Sequence, residues 1–155
     1  MEAVILIGIQ GSGKSTFYRE RFFDTHVRIS LDLLKTRPRE RRFLETCLGT
    51  GQSFVIDNTN VRAAERANYI DAARGAGFRV TGYFFDADVR EALRWNAQRG
   101  GKGKIPVAGV MATHKRLERP NPEEGFHELH MVSRNEGGSF VITTLKKEAE
   151  AVSNG

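Results

Sequence analysis

Gly8-Ile-Gln-Gly-Ser-Gly-Lys14-Ser15 satisfies the pattern G-x-x-x-x-G-K-[ST] at every fixed position, and Thr16 follows directly. A phosphate group needs closely spaced donors around its oxygens. Glycines let successive backbone N–H groups curl that tightly, with no Cβ in the way. A helix opening at Lys14 adds the positive end of its dipole at the same spot. Gly11, Ser12, Gly13, Lys14, Ser15 and Thr16 are therefore read as the seat of a nucleoside triphosphate, ATP in the first instance. In this pattern the lysine reaches the β- and γ-phosphates and the Ser15 hydroxyl ligates Mg2+. The plainer alternative is a glycine turn that merely packs a strand on a helix. It is outweighed because every position matches and both flanks are right.

A second set of residues suits the receiving side of a phosphoryl transfer. Asp32 comes two residues after an expected second strand, which places it at the carboxyl edge of a parallel sheet, beside the phosphate loop. A carboxylate there can take the proton of an acceptor hydroxyl and aim its oxygen at the γ-phosphate. Its alternative is a helix cap. Asp57 ends an expected third strand and either assists Mg2+ through water or caps the next helix. Asn58, Thr59 and Asn60 follow it and offer side-chain hydrogen bonds in the same cleft. No N-K-x-D motif occurs, so nothing points to a guanine-reading switch. No base-reading motif of any kind is evident, and GTP stands beside ATP as a donor.

Basic residues gather in two places. Residues 35–42 carry a net +4, including Lys35 and Arg37, and residues 90–119 carry a net +6, including Arg94 and Arg99. The second segment reads as a helix, the loop Gly100-Gly-Lys-Gly-Lys104, and another helix. That is the layout of a lid, about 94–119, which brings arginines over a transferring phosphate. Arg99, at the helix end, is the residue placed to do so. Arg90, Lys115 and Arg116 read as a solvated face. Trp95 either stacks on a base or packs beneath the lid.

These residues need a frame that holds sheet edges and helix starts together. Ala3–Ile7 is a continuous apolar run, typical of a strand buried on both faces. Further strands are expected at Val27–Ser30, Ser53–Ile56 and Phe78–Phe85. Helices are expected at Lys14–Phe23, Leu31–Leu48 with an interruption near Pro38, Arg62–Arg74, Asp86–Arg99 and Pro106–Arg119. In the third of these helices the apolar side reads as Ala63, Ala67, Ile70 and either Ala73 or Ala72. Two last strands, Phe126–Val132 and Ser139–Leu145, flank Asn135-Glu-Gly-Gly138, a hairpin signal. The pattern is a doubly wound α/β sheet with an antiparallel hairpin at its end, in one domain over residues 1–145, with a polar tail over 146–155.

The 155 residues carry 24 Lys+Arg against 19 Asp+Glu, for a net +5, and are 39% hydrophobic. That balance excludes wholesale disorder and fibrous repeats. The single cysteine, Cys47, excludes a disulfide framework and is read as core. No apolar run is long enough to span a bilayer and no signal peptide opens the chain, so a cytoplasmic setting is expected. His127 and His130 form H-x-x-H in an expected strand with no third ligand nearby, which speaks against zinc. Phe17, Phe22, Phe23, Phe43, Phe54, Phe78 and Phe84 fit core-facing positions.

Taken together, the phosphate loop, Asp32, Asp57-Asn-Thr-Asn60, the arginine lid and Pro120-Asn-Pro-Glu-Glu-Gly-Phe126 resemble the kinase domain of 5′-hydroxyl polynucleotide kinases, over about Val4–Phe126. The resemblance implies an adenylate-kinase-like P-loop fold with helices on both faces of the sheet. It also implies an ATP- and Mg2+-dependent transfer of phosphate to a 5′-OH end of DNA or RNA in end healing. By it, Asp32 matches the general base, Lys14 and Ser15 the γ-phosphate and Mg2+ residues, and Arg99 the lid arginine. Lys35 stands where the family has an arginine on the substrate phosphate, with Arg37 close by. An ammonium lacks the guanidinium's bidentate fork. Trp95 stands where many relatives have a first lid arginine, with Arg94 displaced by one residue. Two other functions share these residues: a small-molecule kinase acting on a sugar, nucleoside or antibiotic hydroxyl, and a nucleotide-gated binding module without transfer. Oligomeric state is not legible.

Overall fold

A computed structural model describes residues 1–98 and 105–149. Six strands, β1 (Glu2–Ile7), β2 (Val27–Ile29), β3 (Phe54–Asp57), β4 (Arg79–Phe85), β5 (Glu128–Arg134) and β6 (Phe140–Lys147), form one sheet in the order β2-β3-β1-β4-β5-β6. The first five run parallel and β6 returns antiparallel to β5. Among the described residues six α-helices accompany them: α1 (Lys14–Arg21), α2 (Leu31–Leu34), α3 (Arg37–Thr50), α4 (Ala63–Gly75), α5 (Val89–Gln98) and α6 (Val107–Arg116). The fold is the α/β P-loop arrangement expected, and the terminal hairpin extends the sheet as well as ending it.

Central β1 is apolar on both faces because each face is covered. Ala3, Ile5 and Ile7 join Phe54, Ile70, Phe84 and Phe126 in one core, while Val4, Leu6 and Val55 join Phe17 in the other. Phe17 of α1 meets the rings of Tyr83, Phe85 and Phe140 with centroids 5.0–5.2 Å apart. Aromatic pairs at this spacing favour tilted and edge-on contact. Through Phe140, the hairpin is packed against the helix that begins at the phosphate loop.

Several expectations are corrected. The break between α2 and α3 falls at Lys35, whose φ is 74°, and Pro38 lies in the first turn of α3. Proline has no N–H to donate, and the first turn has no partner for one, so Pro38 starts a helix rather than interrupting one. Thr36 caps that turn, its hydroxyl accepting from the Arg39 amide at 3.3 Å. Phe23 and Phe43 are exposed rather than core, since Phe23 lies past the end of α1 and Phe43 on the outer side of α3. The buried side of α4 is Arg66, Tyr69, Ile70 and Ala73: Ile70 and Ala73 face the core as expected, whereas Ala63 and Ala67 are half-buried and Arg66 and Tyr69 take the inner positions. Lys146 and Lys147 belong to β6 rather than to a tail. Cys47 is buried, as expected, and burial pushes its thiol pKa up.

Candidate active site

The phosphate loop runs from the end of β1 into α1, and its shape depends on two glycines in the left-handed region. Gly11 has φ 80° and Gly13 has φ 100°. A Cβ on Gly11 would collide with the Ala92 carbonyl of α5, so the glycine also lets α5 rest directly on the loop. Ile9, Ala92 and Val110 bury one another there, and Gln10 donates to the Thr113 hydroxyl of α6 at 3.0 Å. The pair α5–α6, the expected lid, is thus packed against the loop. Asn96 fastens the pair by accepting the Ile105 amide at 2.9 Å. Arg94 is exposed on α5. Arg99, Lys102 and Lys104 lie outside the described residues. Arg119 belongs to the segment after α6: it pairs with Asp86 at 3.4 Å and its guanidinium lies 5.0 Å from the Phe84 ring centroid.

The Lys14 ammonium is largely buried and donates to the carbonyls of Gly8 and Ile9 at 2.8 and 2.9 Å. Ser15 donates its hydroxyl proton to Asp57 Oδ2 at 3.0 Å, and Arg28 donates to the same oxygen at 2.8 Å. A hydroxyl and a carboxylate converging beside a phosphate cradle are the hard oxygen donors that suit Mg2+. With Oδ2 already holding two donors, Asp57 fits the ion through water. Asp57 caps nothing: α4 opens at Arg62 without a side-chain cap.

On the acceptor side the polar residues divide. Ser30 caps α2, its hydroxyl accepting from the Asp32 amide at 3.2 Å, which leaves the Asp32 carboxylate exposed at the cleft. Asn58 Oδ1 accepts from the Leu31 amide at 2.8 Å and Asn58 Nδ2 donates to Glu40 Oε2 at 2.8 Å. The Tyr69 hydroxyl donates to Glu40 Oε1 at 2.7 Å and Arg37 donates to both, each at 3.0 Å. Burial, reinforced by the Glu40 bond, raises the Tyr69 phenol pKa, so it stays a donor. Thr59 lines the cleft, and its carbonyl accepts from the Gly8 amide at 2.9 Å. Asn60 does not reach the cleft. It is 2% exposed, its φ is 49°, and it donates to the Leu6 carbonyl at 2.7 Å. Its role is to tie the end of β3 to β1, satisfying a buried carbonyl.

Lys14, Ser15, Asp32, Lys35, Arg37 and Asp57 therefore line one cavity of about 580 Å3. Sequence reasoning missed residues that hold its walls, Glu40, Tyr69 and Arg28, and also the fully buried Arg66 away from the cavity. Arg66 donates to both Glu124 oxygens at 2.8 and 3.0 Å, and to the carbonyls of Asn60 and Glu118. Only Glu40 had a local signal, standing three residues after Arg37 on one helix. His127 and His130 are engaged structurally: His127 Nδ1 accepts the Val80 amide at 2.9 Å, and His130 meets Thr144 and Glu128 at 3.0 and 3.3 Å.

Residues 4–120 match the AAA_33 family, described as an AAA domain. The chain belongs to this family. It is 27% identical over 135 residues to a bifunctional polynucleotide phosphatase/kinase of Schizosaccharomyces pombe, and 29% identical over 139 residues to a putative one of Acanthamoeba polyphaga mimivirus. These alignments cover 84% and 85% of the chain but 33% of each relative, so this AAA domain spans about a third of their length. A sugar kinase from Janibacter sp. HTCC2649 superposes with TM-score 0.65 at 15% identity, over 86% of this chain and 85% of that one. The AAA domain thus has the fold of a P-loop kinase. Among the described residues no helix is long and apolar enough to cross a membrane.

Proposed function

We propose that this chain transfers the γ-phosphate of ATP to a 5′-hydroxyl end of DNA or RNA, with Mg2+ as the required ion. One observation carries the reading: the phosphate-loop residues Lys14 and Ser15, the exposed carboxylate of Asp32 and the cations Lys35 and Arg37 share a single cavity. In the step, Asp32 takes the proton of the acceptor hydroxyl as its oxygen bonds to the γ-phosphorus. The bond between that phosphorus and the β–γ bridging oxygen breaks, and ADP leaves. Lys14 neutralises charge on the β- and γ-oxygens. Ser15, and Asp57 through water, would hold Mg2+, which adds further charge screening when bound. Lys35 and Arg37 face the phosphate that follows the 5′ end, and Thr59 and Asn58 border the same wall. Arg99 is the lid arginine of the resemblance, and Arg94 stands five residues before it in the sequence, on α5. The polynucleotide phosphatase/kinase names of the relatives support this acceptor; a place in nucleic-acid end repair, in a cytoplasmic setting, is part of the same proposal.

A small-molecule acceptor has one observation in its favour. Glu65 lies in the cavity wall, and an adjoining groove of about 540 Å3 sets Glu40 and Glu45 beside Arg37 and Arg41, a lining of mixed charge that can take a neutral hydroxyl compound as well as a strand. The experiment is direct: supply γ-labelled ATP, or γ-labelled GTP, with Mg2+ and 5′-OH DNA or RNA oligonucleotides, and look for label on the ends. Labelled ends are expected. Asp32→Ala should lower transfer about 10²–10⁴-fold with ATP binding nearly intact. Label on sugars or nucleosides alone would establish the small-molecule acceptor, and ATP binding without any transfer would establish a binding module.

A further inference from the structure

Arg134 is the last residue of β5, at the same sheet edge as the phosphate loop. Its guanidinium is held between two aromatic faces: the carbon lies 4.5 Å from the Trp95 ring centroid and 4.7 Å from that of Phe140. Trp95 therefore packs on an arginine while it also lines the cavity beside the loop. The fork leans on the loop so closely that a Cβ on Gly13 would stand 2.7 Å from Arg134 Nη2. Among the described residues no carboxylate lies within ion-pair distance of this cation, although Asp86 and Glu91 line a small pocket with it, and its Nε is buried without a hydrogen-bond acceptor. A buried donor left unmatched is costly, and a charged one more so. Such an arrangement makes sense when the missing acceptor is an anion that comes and goes.

The cavity beside it fits that anion. It measures about 380 Å3 and is lined by Gly11, Gly13, Thr16, Arg19, Trp95 and Arg134, among others, with no acidic side chain. It lies across the loop from the acceptor cavity, sharing with it only Gly11 and Ser15. If the γ-phosphate faces Asp32, the nucleoside end of the nucleotide leaves on this other side.

We infer that Arg134 is a further nucleotide-binding residue, a guanidinium clamped by Trp95 and Phe140 that neutralises the phosphate nearest the nucleoside. The inference rests on the proposed nucleotide site and makes the terminal hairpin part of it, since β5 delivers Arg134 and β6 delivers Phe140. Stacking on both ring faces removes the side chain's freedom before the nucleotide arrives, so little ordering cost is left for binding. A lysine cannot replace it, because an ammonium has no flat faces to clamp.

Equilibrium binding of ATP, ADP and adenosine to the wild-type protein and to Arg134→Gln, Trp95→Leu and the double variant tests this. Arg134→Gln should weaken ATP and ADP by about ten- to a hundredfold and leave adenosine unchanged. Trp95→Leu should lose part of the same affinity, and the double variant should bind no worse than Arg134→Gln alone. Unchanged ADP affinity, or an equal loss for adenosine, would overturn the phosphate contact. Fully additive losses would overturn the clamp. A wild-type protein that binds no nucleotide would sink the underlying site. Wild-type binding that Lys14→Ala destroys but Arg134→Gln spares would sink only the role of Arg134. Should Arg134→Gln fail to fold, Trp95→Leu decides between the same outcomes with the arginine in place.

Discussion

On one side of Lys14 the protein presents backbone donors, shaped by Gly11 and Gly13 at φ 80° and 100° and braced by helix α5. On the other it presents side chains, aligned by a partly buried chain of hydrogen bonds from the Leu31 amide through Asn58 to Glu40, Tyr69 and Arg37. The first construction recognises a chemical group common to all nucleotides and needs little beyond a short stretch of chain. The second can be retuned one side chain at a time. A fold that serves many acceptors benefits from keeping the donor end in its backbone and the acceptor end in its side chains.

The contrast can be broken from either end. Lys14→Ala should have the largest effect, lowering transfer by roughly 10²–10³-fold or more and nucleotide affinity with it, as read by labelled transfer and direct titration. Wild-type turnover in that variant would end the phosphate-loop assignment. Tyr69→Phe acts only on the other side. It removes a hydroxyl that donates to buried Glu40 at 2.7 Å, and should cost about 1–3 kcal/mol of stability in denaturant titrations. ATP affinity should hold while KM for the acceptor rises. An equal loss of ATP affinity would show that the two sides are not separable. The smallest effect sharpens the picture: Lys35→Ala should make log affinity for a single-stranded oligonucleotide less steep in log salt by about 0.7. An unchanged slope would favour the small-molecule acceptor.

What sequence alone revealed follows the same divide. The phosphate loop is a contiguous motif, and its chemistry depends on neighbours in the chain. Asp32 and Asp57 were legible because the carboxyl edge of a parallel sheet is predictable from strand ends. Asn60 looked like a cleft residue and proved to be a buried strand tie, since a polar side chain at a strand end serves either purpose. Glu40 and Tyr69 are 29 residues apart, and Arg66 and Glu124 are 58 apart. Nothing local marks such pairs. An arginine inside an otherwise apolar helix stripe reads as a solvated residue until its distant carboxylate is seen. Arg134 was hidden for the same reason, because its clamp joins α5, β5 and β6.

Arg66 also bears on where this unit can be cut. The family match stops at residue 120, whereas the guanidinium of fully buried Arg66 is neutralised by Glu124, four residues later. Phe126, Leu129 and Val132 are likewise buried in the cores beside β4. A chain shortened to the family boundary would leave an uncompensated charge in the interior, a loss of about 3–5 kcal/mol before any lost apolar packing is counted. The smallest piece that can stand by itself is therefore longer than the piece by which the family is recognised, and an excision for expression or fusion belongs beyond Lys147.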